Sequence, residues 1–172
     1  MQNQQQNDLR GRVLRWSSGI LLSAAGISAI VSHEGLRYKA YPDPGTGGAP
    51  WTICYGHTGK DVFPGLEVNQ AWCDRALAQD LMVAQKVITK TVQVPITQGE
   101  LDAYASFIFN VGAARWRSSS MLRLLNEGKR REACDQFPLW VYANKLKLGG
   151  LVTRRYEERA KCLSGGAYVF RP

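Results

Sequence analysis

The stretch HEGLRYKAYPDPGTGGAPWTICYGH, from His33 to His57, decides how this chain folds and what chemistry it can perform. Glu34 follows an apolar run, and Asp43 comes nine residues later inside the turn-forming sequence PDPG. A glycine-rich loop then leads to a segment around Thr52 that has the composition of a β-strand. The stretch therefore predicts a helix end, a turn and a small sheet that present two carboxylates and a threonine.

The two carboxylates stand in different surroundings. Ile30 and Val31 precede Glu34, so the end of a helix could half-bury its side chain. Asp43 stands between two prolines, in an open and solvated setting. Hydrolysis of a glycosidic bond needs one carboxylic acid to protonate the leaving oxygen and a second carboxylate to assist water or the developing cation. Because most such pairs are only surface charges, spacing alone does not establish this chemistry.

The stretch resembles the active-site segment of the phage-type lysozymes, glycoside hydrolase family 24. In that family a Glu is followed nine residues later by an Asp, and then by a Thr that opens a Thr-Ile-x-x-Gly-His strand and turn. The corresponding residues here are Glu34, Asp43 and the run from Thr52 to His57. Further matches are YGHTGK at 55–60, FNVG at 109–112, WVYANKLKLGG at 140–150 and LVTRR at 151–155, so the resemblance covers about residues 33–164.

The resemblance implies a muramidase that hydrolyses the β-1,4 bond between N-acetylmuramic acid and N-acetylglucosamine. Glu34 would be the general acid, and Asp43 and Thr52 would position the water or stabilise the cation. It favours inversion over retention of the anomeric configuration. It also implies an α+β, mainly helical lysozyme-like fold, with a small antiparallel sheet lining the active-site cleft.

The loop between the second carboxylate and the threonine departs from the family pattern. Thr52 comes nine positions after Asp43, where much of the family has an offset of six. Thr46 is therefore an alternative for the threonine role, although the strand context and the spacing to His57 favour Thr52. Two other functions stay open: a non-catalytic peptidoglycan-binding homologue inactivated by the longer loop, and a lytic transglycosylase, which needs the acid but no water-positioning Asp.

The resemblance also assigns supporting residues. His57 matches a position that makes a structural ion pair, and Asn110 belongs to the cleft-lining FNVG turn. Arg154 lies where the family has an arginine that reaches the catalytic acid, with Arg155 as the alternative.

Three residues near the carboxyl terminus are interpreted as structural. Glu157 and Glu158 lie at helical spacing from basic neighbours and are expected to pair with them. Trp140 is expected to pack in the core rather than to stack on a sugar.

The four cysteines predict an oxidising compartment, with four reduced core cysteines as the alternative. Three pairings are possible. We favour Cys54–Cys73 and Cys134–Cys162, because each joins neighbours in one half of the chain and resembles endolysins with cysteines at similar places. With two histidines and no CxxC, we expect no metal site and no cofactor.

The first 32 residues read as a separate segment, and residues 33–172 as the catalytic domain. Residues 1–15 are polar and are expected to be disordered. The run from Trp16 to Ser32 has 17 residues and no charge, which is the lower limit for spanning a bilayer. Three arginines precede it, so the positive-inside rule predicts a cytoplasmic amino terminus and an external domain.

Three interpretations of this run stand. It could be a signal peptide cleaved near Ala25, a buried amphipathic helix, or an uncleaved signal anchor that later leaves the membrane. The last resembles the signal-anchor-release endolysins, and we favour it. Because only His33 separates Glu34 from the run, an anchored chain would hold its acid at the lipid surface. We then expect a protein of the host inner membrane facing the periplasm, which is later released to the periplasm.

Composition and local patterns complete the sequence-based expectations. A chain of 172 residues suits one domain, and its net charge of +8 favours anionic partners. We find no nucleic-acid motif, so peptidoglycan and the inner membrane are the expected partners of a monomer.

Helices are predicted over about 70–90 with Asn69 as N-cap, from a Thr97/Glu100 capping box to Asn110, from 118–120 to Gly128, and over 151–162, with a sheet near 38–60.

Overall fold

The computed structural model describes residues 2–42, 47–143 and 145–172. Asp43 and Thr46 lie outside this part of the chain. The elements in chain order are α1 (Gln2–Leu14), α2 (Ala24–Glu34), β1 (Arg37–Pro42), β2 (Trp51–Cys54), β3 (His57–Thr58), α3 (Gln70–Thr91), β4 (Ile96–Thr97), α4 (Gln98–Val111), α5 (Ala113–Arg117), α6 (Ser120–Asn126), α7 (Arg130–Cys134), a 3₁₀ turn (Phe137–Leu139), β5 (Tyr142–Ala143), β6 (Leu146–Lys147), α8 (Gly149–Leu163) and β7 (Tyr168–Phe170).

The main sheet is small and antiparallel, in the order β1-β2-β3. Thr52 pairs with Tyr41 on one side and with Thr58 on the other, so it lies in the central strand. Gly56, with φ +86°, lies in the turn between β2 and β3, a conformation that glycine adopts without steric cost. The sheet predicted near residues 38–60 is therefore confirmed, as is the mainly helical α+β architecture.

Helix α4 runs through the centre of the domain. All of its residues from Gly99 to Ile108 are buried, as expected for a helix surrounded by other elements. Phe107 packs edge-on against Trp140, with ring centroids 5.0 Å apart, so the core role expected for Trp140 is confirmed. Helices α3 and α8 both pack against α4 and enclose it.

The predicted helix starts agree with the structure because their signals are local. The Asn69 side chain accepts a hydrogen bond from the Trp72 amide at 3.0 Å and starts α3. Thr97 and Glu100 form the expected reciprocal capping box at the start of α4.

The amino-terminal region differs from the expectation of disorder, which is wrong for residues 2–14. They form α1, whose Leu9 and Val13 are buried in the common core. Arg12 Nε donates to the buried carboxylate of Asp74 in α3 at 3.0 Å. The helix is thus held by tertiary contacts, because its own sequence has only a narrow apolar side.

The uncharged run from Trp16 to Ser32 is not one continuous helix. Its first part is irregular, and its second part forms most of α2, with Gly26, Ile27 and Ile30 buried against the domain. Within residues 2–42, 47–143 and 145–172, no helix has both the length and the apolar character needed to cross a membrane.

Both expected disulfides are present. Cys54–Cys73 ties the end of β2 to the first turn of α3, and Cys134–Cys162 ties α7 to α8. They close 19- and 28-residue separations, and each such link stabilises a domain by about 3 kcal/mol.

Candidate active site

Glu34 is the last residue of α2, and its carboxyl group points into the domain. The helix ends because Gly35 takes a φ of +68° and turns the chain into β1. The side chain of Glu34 is 18% exposed, and its Oε1 accepts a hydrogen bond from Arg154 Nη1 at 2.5 Å. The carboxyl group of Glu34 is therefore held in one orientation by its bond to Arg154.

Arg154 is held in place by residues of α4 and α8. Its Nε donates to Glu158 Oε1 at 3.1 Å, and its Nη2 donates to the Ser106 carbonyl oxygen at 3.1 Å. Ser106 Oγ in turn donates to Glu158 Oε1 at 2.7 Å. The guanidinium is therefore oriented on three sides, and it is Arg154, not Arg155, that reaches the candidate acid.

Arg155 serves a different part of the site. It donates to Glu158, to the side-chain oxygen of Asn110 and to the Trp140 carbonyl oxygen, the last at 3.1 Å. Burial lowers the pKa of the Arg155 guanidinium, and the charge of Glu158 opposes that shift. Asn110 thus joins the end of α4 to α8.

The carboxyl group of Glu34 also contacts the sheet. A Cβ placed on Gly56 would lie 3.1 Å from Glu34 Oε2, so only glycine leaves ordinary space for the acid there. Since Gly56 joins β2 to β3, the acid touches the sheet whose central strand carries the buried Thr52. Pro42, which ends β1 opposite Trp51, leads directly to residues 43–46, which are outside the described part of the chain.

A cavity of about 170 Å³ adjoins this contact. It lies between the sheet, α3 and the end of α4. Its lining includes Gly56, Thr58, Asp80, Phe109 and Gly112. Two residues of the FNVG segment, Phe109 and Gly112, therefore line a depression that shares Gly56 with the acid.

His57 makes the ion-pair contacts that the sequence predicted. Its Nδ1 lies 2.8 Å from Asp80 Oδ2 in α3, and its Nε2 lies 3.4 Å from Asp61 Oδ1. The hydrogen bond to Asp80 raises the pKa of His57, while burial opposes the shift. His57 thus ties β3 to α3 at the edge of the cavity.

Two contacts differ from the sequence-based interpretation or escaped it. Glu157 pairs with His33 Nε2 at 2.9 Å, not with basic neighbours on its own helix, because it faces the end of α2. Glu158 does pair with Arg154 and Arg155, as expected. Ser106 was missed, because a serine in an apolar helix gives no local signal for a contact 48 residues away.

Comparison with known proteins agrees with this geometry. A family model described as phage lysozyme matches residues 31–158. The SAR-endolysin of Bacteriophage PS119 is 42% identical over 132 residues, which cover 77% of each protein. The chain belongs to the phage lysozyme family.

Solved structures of phage lysozymes share the fold. A point mutant of the lysozyme of Salmonella phage P22 is 38% identical, with a TM-score of 0.71 over 83% of this chain and 97% of that one. The active form of the P1 phage endolysin Lyz, 24% identical, gives a TM-score of 0.80 over 92% and 93% of the two chains. Its secreted inactive form, 21% identical, gives 0.55 over 83% and 95%. This member of the family is thus a lysozyme-type phage endolysin with glycosidase activity.

The contact between Gly56 and the acid predicts a selective loss of activity. Gly56→Ala places a methyl group against Glu34 Oε2, and we expect kcat to fall about ten-fold through misplacement of the acid. Gly65→Ala is the matched control, because Gly65 has a similar φ of +83° and nothing within 4 Å of its Cβ position. Both changes should cost a similar 1–2 kcal/mol, roughly, of stability. Equal activities of the two variants would contradict the contact.

The His57–Asp80 pair predicts a pH-dependent stability. A folded-state pKa raised above the ordinary value of about 6.5 stabilises the protein fully below that pH, and the contribution is lost as pH rises through the raised pKa. The free energy of unfolding, measured from pH 5.5 to 9, should therefore decline across this window. His57→Gln should remove that part of the decline, and Asp80→Asn should have little further effect in the His57→Gln background. The idea fails if Asp80→Asn alone leaves the profile unchanged.

Proposed function

We propose that this endolysin hydrolyses the β-1,4 bond between N-acetylmuramic acid and N-acetylglucosamine in peptidoglycan. Glu34 is the general acid, and Asp43 and Thr52 position the water or stabilise the developing cation. The observation that carries the proposal is the position of Glu34, half-buried at the end of α2 with its carboxyl group between Arg154 and Gly56.

The two oxygens of Glu34 have different neighbours, which supports a proton-donating role. Oε1 faces the guanidinium of Arg154, where a proton would meet a cation. Oε2 faces the Gly56 backbone on the sheet side. The transferable proton therefore belongs on Oε2, and the bond to Arg154 holds the carboxyl group with this oxygen toward Gly56, which also lines the cavity.

Charge supports an anionic wall polymer as the substrate. The net charge of +8 attracts peptidoglycan, whose stem peptides carry carboxylates, and raises the rate of encounter at low ionic strength.

Replacement of the acid tests the proposal. Glu34→Gln should lower the release of reducing sugar ends from purified peptidoglycan by about 10²–10⁴-fold, because an amide cannot donate the proton. Circular dichroism should show a folded protein. Glu67→Gln removes one carboxylate from an exposed pair with Lys39 and should keep full activity. A fully active Glu34→Gln variant would refute the assignment.

The products and a second variant separate the competing functions. A hydrolase loses activity with Asp43→Ala and yields reducing ends, whereas a lytic transglycosylase tolerates the change and yields anhydro sugars. A non-catalytic homologue binds peptidoglycan without releasing sugar ends. The anomeric configuration of the first product distinguishes inversion from retention.

We further propose that residues 1–32 hold the enzyme inactive in the host inner membrane before release to the periplasm. The uncharged run from Trp16 to Ser32 and the relatives named SAR-endolysins support this. As a 17-residue helix it would be about 26 Å long, and Glu34 would sit at the lipid surface, away from Arg154.

The described conformation is then the released one. Its helix α1 packs on α3, on the same side of any membrane as the catalytic domain. Conversion from an anchored state therefore requires the whole amino-terminal tail, with its three arginines, to cross the bilayer.

Fractionation of cells tests the anchor. Full-length chain should be found in the membrane fraction and should move to the periplasm after depolarisation, because an intact anchor leaves the bilayer without cleavage. Intact mass of the released protein supplies the control, since it must equal that of the full chain. A shortened amino terminus at all times would favour a cleaved signal peptide instead.

A further inference from the structure

Residues 19–23, between α1 and α2, form neither helix nor strand and are bound through their backbone by side chains of the catalytic domain. Gln85 of α3 makes two of these bonds: its Oε1 accepts from the Leu21 amide at 2.7 Å, and its Nε2 donates to the Gly19 carbonyl oxygen at 2.8 Å. Gln98 of α4 donates to the Leu21 carbonyl oxygen at 3.1 Å. The side-chain amides of Gln85 and Gln98 thus hydrogen-bond to the peptide groups of one short segment.

Asp102 of α4 binds the end of the same segment. Its Oδ1 accepts from the Ser23 amide at 3.0 Å, and its Oδ2 accepts from Ser23 Oγ at 2.5 Å. Gln98 also donates to Asp102 Oδ1 at 2.9 Å, and Lys161 Nζ lies 3.6 Å from Oδ2. Asp102 is only 1% exposed, so this is a buried carboxylate whose bonds come largely from the segment.

The segment 19–23 is also held by the burial of its apolar side chains. The side chains of Ile20 and Leu22 are buried, while Leu21 between them is 43% exposed, the alternation of an extended chain against one surface. One turn further on, a Cβ on Gly26 would come 2.5 Å from Asp102 Cγ, so α2 crosses Asp102 at the closest distance its backbone allows.

The buried polar side chains of Gln85 and Asp102 depend on residues 19–23 for hydrogen bonds. A buried carboxylate or amide without hydrogen bonds is costly, and across the described part of the chain every buried side-chain nitrogen or oxygen has a partner. If residues 19–23 were in a bilayer, Gln85 would lose both of these hydrogen bonds, and Asp102 would lose its two bonds from Ser23 and keep Gln98 and Lys161. The site is therefore complementary to the backbone of Gly19, Leu21 and Ser23 and to the Ser23 hydroxyl.

We propose that Gln85, Gln98 and Asp102 form a receptor site for residues 19–23 and are positioning residues for Glu34. Helix α2 starts at Ser23, which the site binds, and ends at Glu34, whose carboxyl group reaches Arg154. Occupation of the site fixes the near end of the helix, and thereby the position of the acid at its far end. This inference rests on the proposed role of Glu34 and on the proposed anchor.

Competition with the bilayer gives the site a regulatory effect. The segment 19–23 lies inside the uncharged run, so it occupies either the membrane or the receptor. Weakening the receptor by two hydrogen bonds shifts the ratio of anchored to released chain toward the membrane by about ten- to thirty-fold. The same change lowers kcat without changing KM, because it affects the position of the acid and not the binding of the sugar.

The experiment uses the full chain with Gln85→Leu and, as matched control, Gln79→Leu, an exposed glutamine on the same helix. Gln85→Leu should speed amide exchange of Leu21 and Ser23 at least ten-fold, with exchange in the core of α4 unchanged. It should also lower kcat with KM unchanged, and raise the membrane fraction when both variants are made in a Glu34→Gln background that cannot lyse cells. Gln79→Leu should do none of these.

A second substitution of Gln85 and a double-mutant cycle between Ser23 and Asp102 provide the test if Gln85→Leu fails to fold. Gln85→Glu keeps an acceptor for the Leu21 amide but turns a second carboxylate oxygen toward the Gly19 carbonyl oxygen, so its effects on exchange should be no smaller than those of Gln85→Leu. Ser23→Ala and Asp102→Ala each remove the hydrogen bond from Ser23 Oγ to Asp102 Oδ2, so their effects on amide exchange of residue 23 should be non-additive. Unchanged exchange at Leu21 in both Gln85 variants would overturn the receptor.

Failure of the proposed function gives a different pattern. If Glu34→Gln is active, the acid assignment falls while the exchange results still decide whether the receptor exists. If every variant is absent from membranes, both the proposed anchor and its competition with the receptor site are refuted. The positioning role of the site is then tested by kcat and amide exchange alone.

Discussion

The ion pair between Glu34 and Arg154 is the interaction on which the site depends. It joins residues 120 positions apart, from the end of α2 to the first half of α8. Arg154 is also held by Ser106 and Glu158, whereas Glu34 reaches Arg154 only when the helix that carries it is packed on the domain. The amino-terminal segment is therefore part of the candidate site, because its packing decides whether the carboxyl group of Glu34 reaches the guanidinium of Arg154.

Charge balance explains why the pair is stable although it is largely buried. Arg154 and Arg155 are adjacent, and Glu158 accepts hydrogen bonds from both. Glu158 alone leaves two buried cations facing one anion, and the Glu34 carboxyl group supplies a further hydrogen-bond acceptor for Arg154. Removing one member of a buried network leaves an uncompensated charge and costs about 3–5 kcal/mol. Docking of α2 is thus favoured electrostatically at Glu34 and by hydrogen bonds at Ser23.

Much of the fold could be predicted from the sequence because its signals are local. The capping box at Thr97, the N-cap at Asn69 and the period of α3 depend on residues within one or two turns of each other. Helix α1 could not be predicted, since its stability comes from Arg12 meeting a carboxylate 62 residues away. The expectation that Glu157 pairs with basic residues of its own helix was wrong for the same reason, because its partner is His33, in a distant part of the sequence. At the site, Glu34 and Arg154 followed from family resemblance, whereas Ser106 and Gly56 act through distances that only the fold creates.

The composition of the run from Trp16 to Ser32 follows from two requirements at once. Five serines and two glycines make it a weak membrane segment. In the folded domain some of the same residues are structurally required: Ser23 caps α2 and binds Asp102, and Gly26 alone leaves room for Asp102 beneath the helix. A more apolar run would be held better by lipid, but it would lose the groups that bind it to α4. Low hydrophobicity of the run is therefore a consequence of the docked structure, and under the proposed anchoring the same positions would also set how readily it leaves the bilayer.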